Sequence, residues 1–337
     1  MTTSIESGNY GRARLSLSAL DTHRRHGHII LPWSRDESGW GTLRVPIGIV
    51  THGEGPTVLL TGANHGDELE GAIVLQALFR NIDVQAVRGT VIVVPMLNHP
   101  AFKAGRRLSP IDGANMNRAF RMRAEGTMTE QIAWFVESEL VARADAVLDI
   151  HSGGRSMYFH PFAVSHKLAS PEETARAQAA LLAFGAPMGL VLEELDNVGM
   201  LDSAVENRGK LFLSTELGGG GSTTPATLAI ARRGVHNFLV HTGVLKAAPE
   251  AAPVPTRLMT NDAGGYVDCP CAGLIEYLVE MGEPVLAGQP LAHIHGTDRL
   301  DIAPVVVAAP ADGLLVGRFH GGLVQAGDFI GLVARDL

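Results

Sequence analysis

The chain has 337 residues, of which 46% are hydrophobic and 18% are charged, and its formal net charge at pH 7 is -8. This composition is typical of a globular protein, and the length favours one large and one small domain. The negative charge argues against nucleic acid as a partner, and no apolar run approaches the roughly 18 residues that span a bilayer, so we expect no membrane partner either.

The N-terminus and the cysteines indicate where the protein works. Residues 1–6 contain neither the basic region nor the apolar region of a signal peptide. Cys269 and Cys271 are the two cysteines of the chain, and their spacing is too short for an unstrained disulfide. They also lack the second pair that a zinc site would need. We therefore expect a reducing, cytoplasmic location.

Predicted strands and helices alternate along residues 1–246. The predicted strands are 43–50, 57–62, 90–96, 146–150 and 210–216, and the predicted helices are 68–80, 127–143, one from 170 and 225–242. Residues 98–118 form an irregular segment rich in glycine, proline and asparagine. The alternation predicts an α/β fold, with a mixed, mainly parallel sheet flanked by helices and with ligand groups at the strand ends.

A histidine and a glutamate follow the predicted strand 57–62. His65 and Glu68 are three residues apart, and in the first turn of a helix they would lie on one face and bind one ion. This spacing alone is more often a solvent-exposed face. His151, at the end of the strand 146–150, supplies a third donor. Two histidines and one glutamate form the ligand set of a catalytic zinc whose fourth position is left to water.

Two further segments carry candidate catalytic groups. Glu216 ends the strand 210–216 immediately before the glycine run 218–221, a position that can bring a carboxylate into a cleft. The loop 106–118 contains three arginines, and Arg118 beside Asn117 offers a planar fork that matches a substrate carboxylate. For either group taken alone, a surface ion pair or a solvated charge is the more common outcome.

The remaining histidines are weaker candidates. His99, His160 and His166 lack a companion motif, so a structural role with hydrogen bonds is the more common interpretation for each of them.

The C-terminal part changes character after an Ala/Pro-rich segment. Residues 247–257 are predicted to be a stiff linker, and residues 258–337 contain short β-like runs with frequent glycine. Residues 282–294 and 321–333 are similar to each other, and the tail resembles the biotinyl/lipoyl-like barrel-sandwich hybrid. Those carriers attach their cofactor to a lysine, and residues 257–337 contain no lysine, so we expect no covalently attached biotin or lipoate. The tail is therefore predicted to shape or gate the site, with a zinc domain that folds without it.

Four separated motifs carry a resemblance over nearly the whole chain. They are Gly62-x-x-His65-Gly66-Asp67-Glu68, Asn117-Arg118, Asp149-Ile150-His151 and Thr215-Glu216. In this order they resemble the succinylglutamate desuccinylase/aspartoacylase family, which has the zinc carboxypeptidase-like fold. The segment Leu31-Pro32-Trp33-Ser34-Arg35-Asp36 to Trp40-Gly41 is similar to the N-terminal extension of one subgroup.

The resemblance implies a role for each motif. By this resemblance, the zinc ligands would be His65, Glu68 and His151. The catalytic residues would be Glu216 and Arg107, and the substrate would be bound by Asn117 and Arg118. Glu216 would be the base and later the acid, and Arg107 would polarise the scissile carbonyl. Arg106 remains an alternative to Arg107, because the spacing of the two arginines varies in the family.

The same resemblance implies a small-molecule substrate. The subgroup implies zinc-dependent release of acetate from N-α-acetyl-L-2,4-diaminobutyrate. The single set of two histidines and one glutamate predicts one zinc per chain, and the size of the chain favours a homodimer. The alternatives are deacylation of an N-succinyl or N-acetyl acidic amino acid, cleavage of a peptide as by a carboxypeptidase, and a non-catalytic binding protein with the same fold. Asp112 and Glu194 are candidates for binding the substrate ammonium, on charge alone.

Overall fold

A computed structural model describes residues 5–193, 196–261 and 263–337. The first strands are β1 Gly8–Tyr10, β2 Ala13–Ala19, β3 Arg24–Pro32, β4 Thr42–His52, β5 Thr57–Gly62, β6 Gly89–Val94, β7 Ala146–His151, β8 Met157–Phe159, β9 Phe162–His166, β10 Met188–Leu192 and β11 Leu211–Glu216. The tail adds β12 Arg257–Thr260, β13 Tyr266–Asp268, β14 Gly273–Tyr277, β15 Pro284–Val285, β16 Pro290–His295, β17 Val305–Ala308, β18 Gly313–Phe319, β19 Leu323–Val324 and β20 Phe329–Asp336.

Six α-helices accompany these strands in the described part of the chain. They are α1 Glu70–Asn81, α2 His99–Ala104, α3 Met128–Phe135, α4 Pro171–Phe184, α5 Leu201–Glu206 and α6 Pro225–His241. Helix α3 begins at a capping box of Thr127 and Glu130 and continues as a π-helix over Val136–Val141, within the predicted helix 127–143. None of the described helices has the length and apolarity that crossing a bilayer requires.

The largest sheet is mixed and has the strand order β1-β2-β3-β4-β6-β5-β7-β11-β9-β10-β12-β20-β18-β15. Its centre is parallel, because β5 pairs in parallel with β6 and β7, and β7 pairs in parallel with β11. The carboxyl ends of β5, β7 and β11 therefore meet at one edge of the sheet, as the alternation of elements predicts.

Apolar side chains of these strands alternate between two cores. Leu59, Val147 and Phe212 pack on one face with α3 and α5, whereas Leu60, Leu148 and Leu213 pack on the other with α1, α4 and α6. Successive residues of a strand point to opposite faces, so one set of strands supports helices on both sides. The predicted α/β sheet flanked by helices is confirmed, and a second, antiparallel sheet β17-β16-β14-β19 confirms the small all-β part of the tail.

Two sequence predictions about local structure were wrong. Helix α1 begins at Glu70 and not at residue 68, so His65 and Glu68 lie in the turn before the helix. In that turn Glu68 N donates to His65 O at 3.2 Å, an arrangement that directs both side chains to one point.

The segment 98–118 is not wholly irregular, because Asn98 accepts from Ala101 N and caps α2.

The tail shares its main sheet with the preceding part of the chain. Strand β12 pairs in parallel with β10, and β18 pairs with β8. The linker is also anchored, since Asn237 of α6 exchanges two hydrogen bonds with the backbone of Glu250, at 2.7 and 2.9 Å. The division into residues 1–246, 247–257 and 258–337 remains a prediction, and it describes a change of sequence pattern rather than a break in the sheet.

The internal similarity of the tail corresponds to a repeated structural unit. In each copy a short strand, β15 or β19, is followed by an Ala-Gly turn and a longer strand, β16 or β20. Gly288 and Gly327 in these turns have φ values of 82° and 86°, which favour glycine. The repeat therefore encodes two equivalent turns of the β-rich tail.

Candidate active site

The three predicted metal ligands converge at the carboxyl ends of β5 and β7. His65 Nδ1 lies 2.7 Å from Glu68 Oε1, and His151 Nδ1 lies 2.8 Å from Glu68 Oε2. One donor atom from each residue lies within 4.8 Å of the others. All three residues are buried, as expected for the ligands of a metal site and not for a charge pair at the surface.

The turn that carries His65 is held in an unusual conformation. Ala63, two residues earlier, has φ 48°, a left-handed value that costs a non-glycine residue about 1 kcal/mol. A Cβ on Gly66 would lie 2.0 Å from the backbone carbon of Ala101, so only glycine fits there. Helix α2 thus packs directly on the turn and fixes it.

The outer nitrogen of each imidazole faces an oxygen acceptor. His151 Nε2 lies 2.7 Å from Asp149 Oδ2, and His65 Nε2 lies 3.1 Å from Asn115 Oδ1. Asn115 Oδ1 also accepts from the backbone N–H of Asn117 at 2.9 Å, which identifies it as the amide oxygen. Each Nε2 therefore faces an acceptor to which it can donate, which leaves each Nδ1 directed at Glu68.

This arrangement fits a bound cation. Two imidazole nitrogens and a carboxylate are directed at one point, where a metal ion could take one donor atom from each residue. The set of two nitrogens and one carboxylate oxygen, with outer nitrogens that face acceptors, is the donor chemistry of a zinc site that keeps a position open.

The charges of the cluster follow from these contacts. Burial by itself would raise the pKa of Glu68, but His65 and His151 hold it far below its usual value. Burial would also lower the pKa of His151, but Asp149 and Glu68 raise it well above its usual value. At His65 burial prevails and the pKa falls, because its outer partner is a neutral amide.

A chain of amides extends the cluster toward α5. Asn64 Nδ2 donates to Asp149 Oδ2 at 2.8 Å and to Asn117 Oδ1 at 3.2 Å. Asn117 Oδ1 also accepts from the backbone N–H of Leu201 at 3.0 Å. Asn117 is buried and lines the site, and this hydrogen bond positions the start of α5 beside the metal ligands.

Glu216 lies next to the cluster with an unusual carboxyl group. In the register of β11 and β7 it is the direct partner of His151. Its Oε2 is buried and has no hydrogen-bond partner among the described residues. Burial, together with the nearby negative charge of Glu68, raises the pKa of Glu216 to about 8. A carboxyl group with these properties is suited to exchange a proton near neutral pH.

The two arginines that were alternatives occupy different surroundings. Arg107 Nη1 lies 3.5 Å from Glu68 Oε1, and Arg107 lines the cavity that contains the cluster. Arg106 is exposed and lies outside that cavity. Arg118 lines the same cavity, where its Nη1 donates to Asn117 O at 2.7 Å and its Nε lies 3.3 Å from Asp196 Oδ2.

One of the two candidates for binding an ammonium group lies in the described part of the chain. Asp112 accepts from Thr129 N and Thr129 Oγ1, both at 2.8 Å, and from Ala114 N at 3.2 Å. Its carboxylate therefore links the loop to the start of α3 and does not face the cavity, so this prediction was wrong. Glu194 lies outside the described residues.

The cavity has a volume of about 400 Å³ and receives walls from both parts of the chain. Its apolar wall includes Phe162 and Leu190 of the main sheet. The tail residues that line it are Tyr266, Asp268, Gly327, Phe329 and Leu332. This size suits a small molecule, and the tail contributes directly to its shape.

Other histidines have different surroundings. His166 Nδ1 lies 2.9 Å from Glu206 Oε1 at the cavity wall, and His99 lies at the start of α2. A second histidine–glutamate group in the tail consists of Glu276, His293 and His295, on the adjacent strands β14 and β16. Its members are half-exposed and lie away from the cavity.

Sequence reasoning gave no role to the residues that orient the cluster. Asp149 had a usable signal, because residues two apart on a strand share a face, so Asp149 and His151 had to lie side by side. Asn64 and Asn115 had no such signal, since their contacts depend on the packing of loops that are distant in sequence.

Comparison with known proteins agrees with this geometry. Residues 54–242 match the model of the succinylglutamate desuccinylase/aspartoacylase catalytic domain. The chain is 46% identical over 312 residues, 92% of its length and 91% of the relative's, to N-alpha-acetyl-L-2,4-diaminobutyric acid deacetylase of Halomonas elongata.

Solved structures are similar over almost the whole chain. The product-bound ectoine utilization protein EutE (DoeB) of Ruegeria pomeroyi has a TM-score of 0.91 at 41% identity, covering 97% of this chain and 100% of that one. A succinylglutamate desuccinylase of Silicibacter has a TM-score of 0.91 at 39% identity, covering 98% of this chain and 100% of that one.

Proposed function

Because the chain belongs to the succinylglutamate desuccinylase/aspartoacylase family, we propose that it is a zinc-dependent amidohydrolase that converts N-α-acetyl-L-2,4-diaminobutyrate to L-2,4-diaminobutyrate and acetate. The observation that carries the proposal is the buried cluster of His65, Glu68 and His151 beside the unpaired carboxyl group of Glu216. The substrate follows from the Halomonas relative, and the name of the Ruegeria protein suggests ectoine degradation as the context.

His65, Glu68 and His151 would hold one zinc ion per chain. When bound, zinc supplies a Lewis acid and makes water acidic enough to lose a proton near neutral pH. Glu216 then accepts the proton of the water that attacks the acetyl carbonyl carbon. It returns this proton to the amine nitrogen as the C–N bond breaks, so that acetate and a free amine leave.

The two arginines act on the scissile carbonyl and on the α-carboxylate of the substrate. Arg107 lies beside Glu68, where its guanidinium can stabilise the negative charge that develops on the carbonyl oxygen. Arg118 and Asn117 bind the α-carboxylate, and the hydrogen bond from Arg118 to Asn117 O already orients the guanidinium fork.

A substrate panel tests this proposal. We expect acetate release from N-α-acetyl-L-2,4-diaminobutyrate to exceed release of the acyl group from N-acetyl-L-aspartate and N-succinyl-L-glutamate by at least about 100-fold in kcat/KM. A preference for either acidic substrate would favour the alternative deacylase. No turnover of any substrate by zinc-loaded protein would favour a binding protein.

Removal of the metal is expected to abolish turnover. His65→Ala and His151→Ala should each lose zinc, measured by elemental analysis, because two remaining ligands hold the ion poorly. The matched control is the double variant His293→Ala, His295→Ala, which removes two imidazoles from the exposed tail cluster. It should keep one zinc per chain and full turnover. Full activity in a metal-free preparation would contradict the zinc mechanism.

Arg118→Lys keeps the charge but removes the planar fork. We expect kcat/KM for the free acid to fall by about 10- to 100-fold, because one bidentate, charge-assisted contact is lost. The methyl ester of the same substrate should be poor for the native enzyme and should lose little more in the variant. Equal losses for acid and ester would place Arg118 away from the carboxylate.

The cytoplasmic location and the homodimer belong to the same proposal. The location is supported by Cys269 and Cys271, which are both free thiols. The homodimer rests on the general prevalence of two-fold assemblies among enzymes of this size.

A further inference from the structure

One carboxylate of the cavity has no assigned role. Asp202 lies in the first turn of α5, is 6% exposed and lines the cavity. Its Oδ1 accepts from the backbone N–H and from the hydroxyl of Ser203. Within the described part of the chain its Oδ2 forms no hydrogen bond and Asp202 forms no ion pair, and Oδ2 keeps some access to solvent.

The other acidic groups of the cavity are engaged or exposed. Glu68 and Glu216 belong to the metal cluster described above. Asp196 pairs with Arg118, and its side chain is 56% exposed. Asp268 is exposed at the tail side of the cavity. Among the described residues Asp202 is thus a buried carboxylate of this cavity with neither a metal-binding nor an ion-pairing role.

The side chain of Asp202 is largely withdrawn from water, so solvent would screen its attraction to a positive charge in the cavity only weakly. Ser203 provides hydrogen bonds to one oxygen, which leaves the other oxygen available to a ligand in the cavity. A cationic group of the substrate would complete its coordination.

Asp202 lies near residues that we assign to substrate binding and proton transfer. Asn117, which we place at the substrate carboxylate, accepts from the backbone N–H of Leu201, the residue immediately before Asp202. Helix α5 packs against β11, whose residues Phe212, Ser214 and Glu216 line the cavity. Asp202 therefore lines the same cavity as Glu216 and lies next in sequence to the residue that is bonded to Asn117.

We propose that Asp202 binds the primary ammonium group at the end of a short substrate side chain, and so selects N-α-acylated diamino acids over their neutral or acidic counterparts. This inference rests on the proposed deacylase function and specifies its substrate class. It assigns to α5 the recognition that sequence reasoning had sought at Asp112 and Glu194.

The test compares two substrates of the same shape. N-α-acetyl-L-norvaline carries a methyl group where N-α-acetyl-L-2,4-diaminobutyrate carries the ammonium. Asp202→Asn should lower kcat/KM for the diamino substrate by about 10- to 100-fold, the effect of one charge-assisted contact, and should change norvaline turnover by less than about threefold. Equal losses for both substrates would overturn the proposal.

Two further variants separate recognition from stability. Glu172→Gln removes a carboxylate from the first turn of α4 that does not line the cavity, and it should leave the ratio of the two substrates unchanged. If Asp202→Asn does not fold, Asp202→Glu keeps the charge on a longer side chain. It should shift preference toward the shorter N-α-acetyl-L-2,3-diaminopropionate, and an unchanged preference would count against the subsite.

The native enzyme distinguishes failure of the subsite from failure of the function. Equal turnover of the diamino and norvaline substrates would refute the ammonium subsite and leave the deacylase function intact. Turnover of neither, with N-acyl acidic amino acids cleaved instead, would overturn both.

Discussion

Glu216→Gln should retain zinc and lower kcat by about 10²–10⁴-fold, the usual contribution of a positioned general base. The amide has nearly the same volume as the carboxyl group but cannot accept the proton. Because Oε2 of Glu216 makes no hydrogen bond with the described residues, no structural contact of that atom is lost. The unfolding temperature should therefore remain close to that of the native protein.

Glu68→Gln is the matched comparison. Glu68 is in contact with both histidines, so its loss should weaken zinc binding, and added zinc should partly restore turnover. Zinc stoichiometry and turnover are measured for both variants, with and without excess metal. If Glu216→Gln loses zinc while Glu68→Gln keeps it, the two roles are reversed.

Ending the chain at residue 250 should yield insoluble protein rather than an active zinc domain. Phe159, Phe162, Val164, Met188 and Leu190 share one core with tail residues Met259, Val316, Leu332 and Ala334. Exposure of a buried apolar side chain costs about 2 kcal/mol. If the five side chains outside the tail were all exposed, the cost would be about 10 kcal/mol. This is comparable with the free energy of unfolding of a typical protein, about 5–15 kcal/mol.

Co-expression provides the control for this experiment. Fragments 1–250 and 251–337 together should restore soluble, zinc-binding protein, because the break lies in an exposed segment between β12 and α6. Solubility and zinc content report the outcome. A soluble and active fragment 1–250 would support the independent zinc domain that the linker sequence had suggested.

Much of the candidate site could be predicted because its ligands follow strands. Each of His65, His151 and Glu216 comes at or just after the end of an apolar run, and parallel strands bring such ends together. The motif set and its order then indicated the family, which the comparisons confirm.

The remainder depended on contacts between segments distant in sequence. Asn115 acquires its role from a loop that folds over His65, and Asp202 from the docking of α5 on Asn117. The sheet that continues from β10 into β12 could not be predicted, because the Ala/Pro-rich segment before β12 has the composition of a stiff linker between domains. Composition reports local stiffness, whereas strand pairing is decided by the surfaces that the chain must bury.

The pairing of β20 has a consequence for synthesis on the ribosome. The proposed zinc ligands and proton-transfer group have all been translated by residue 216, yet Phe329 and Leu332 of the cavity wall are added more than a hundred residues later. Until β20 inserts between β12 and β18, the nascent chain exposes the apolar face that these residues cover. Such an intermediate is prone to aggregate, so chaperone binding during translation should concentrate in the interval after β11 and before β20.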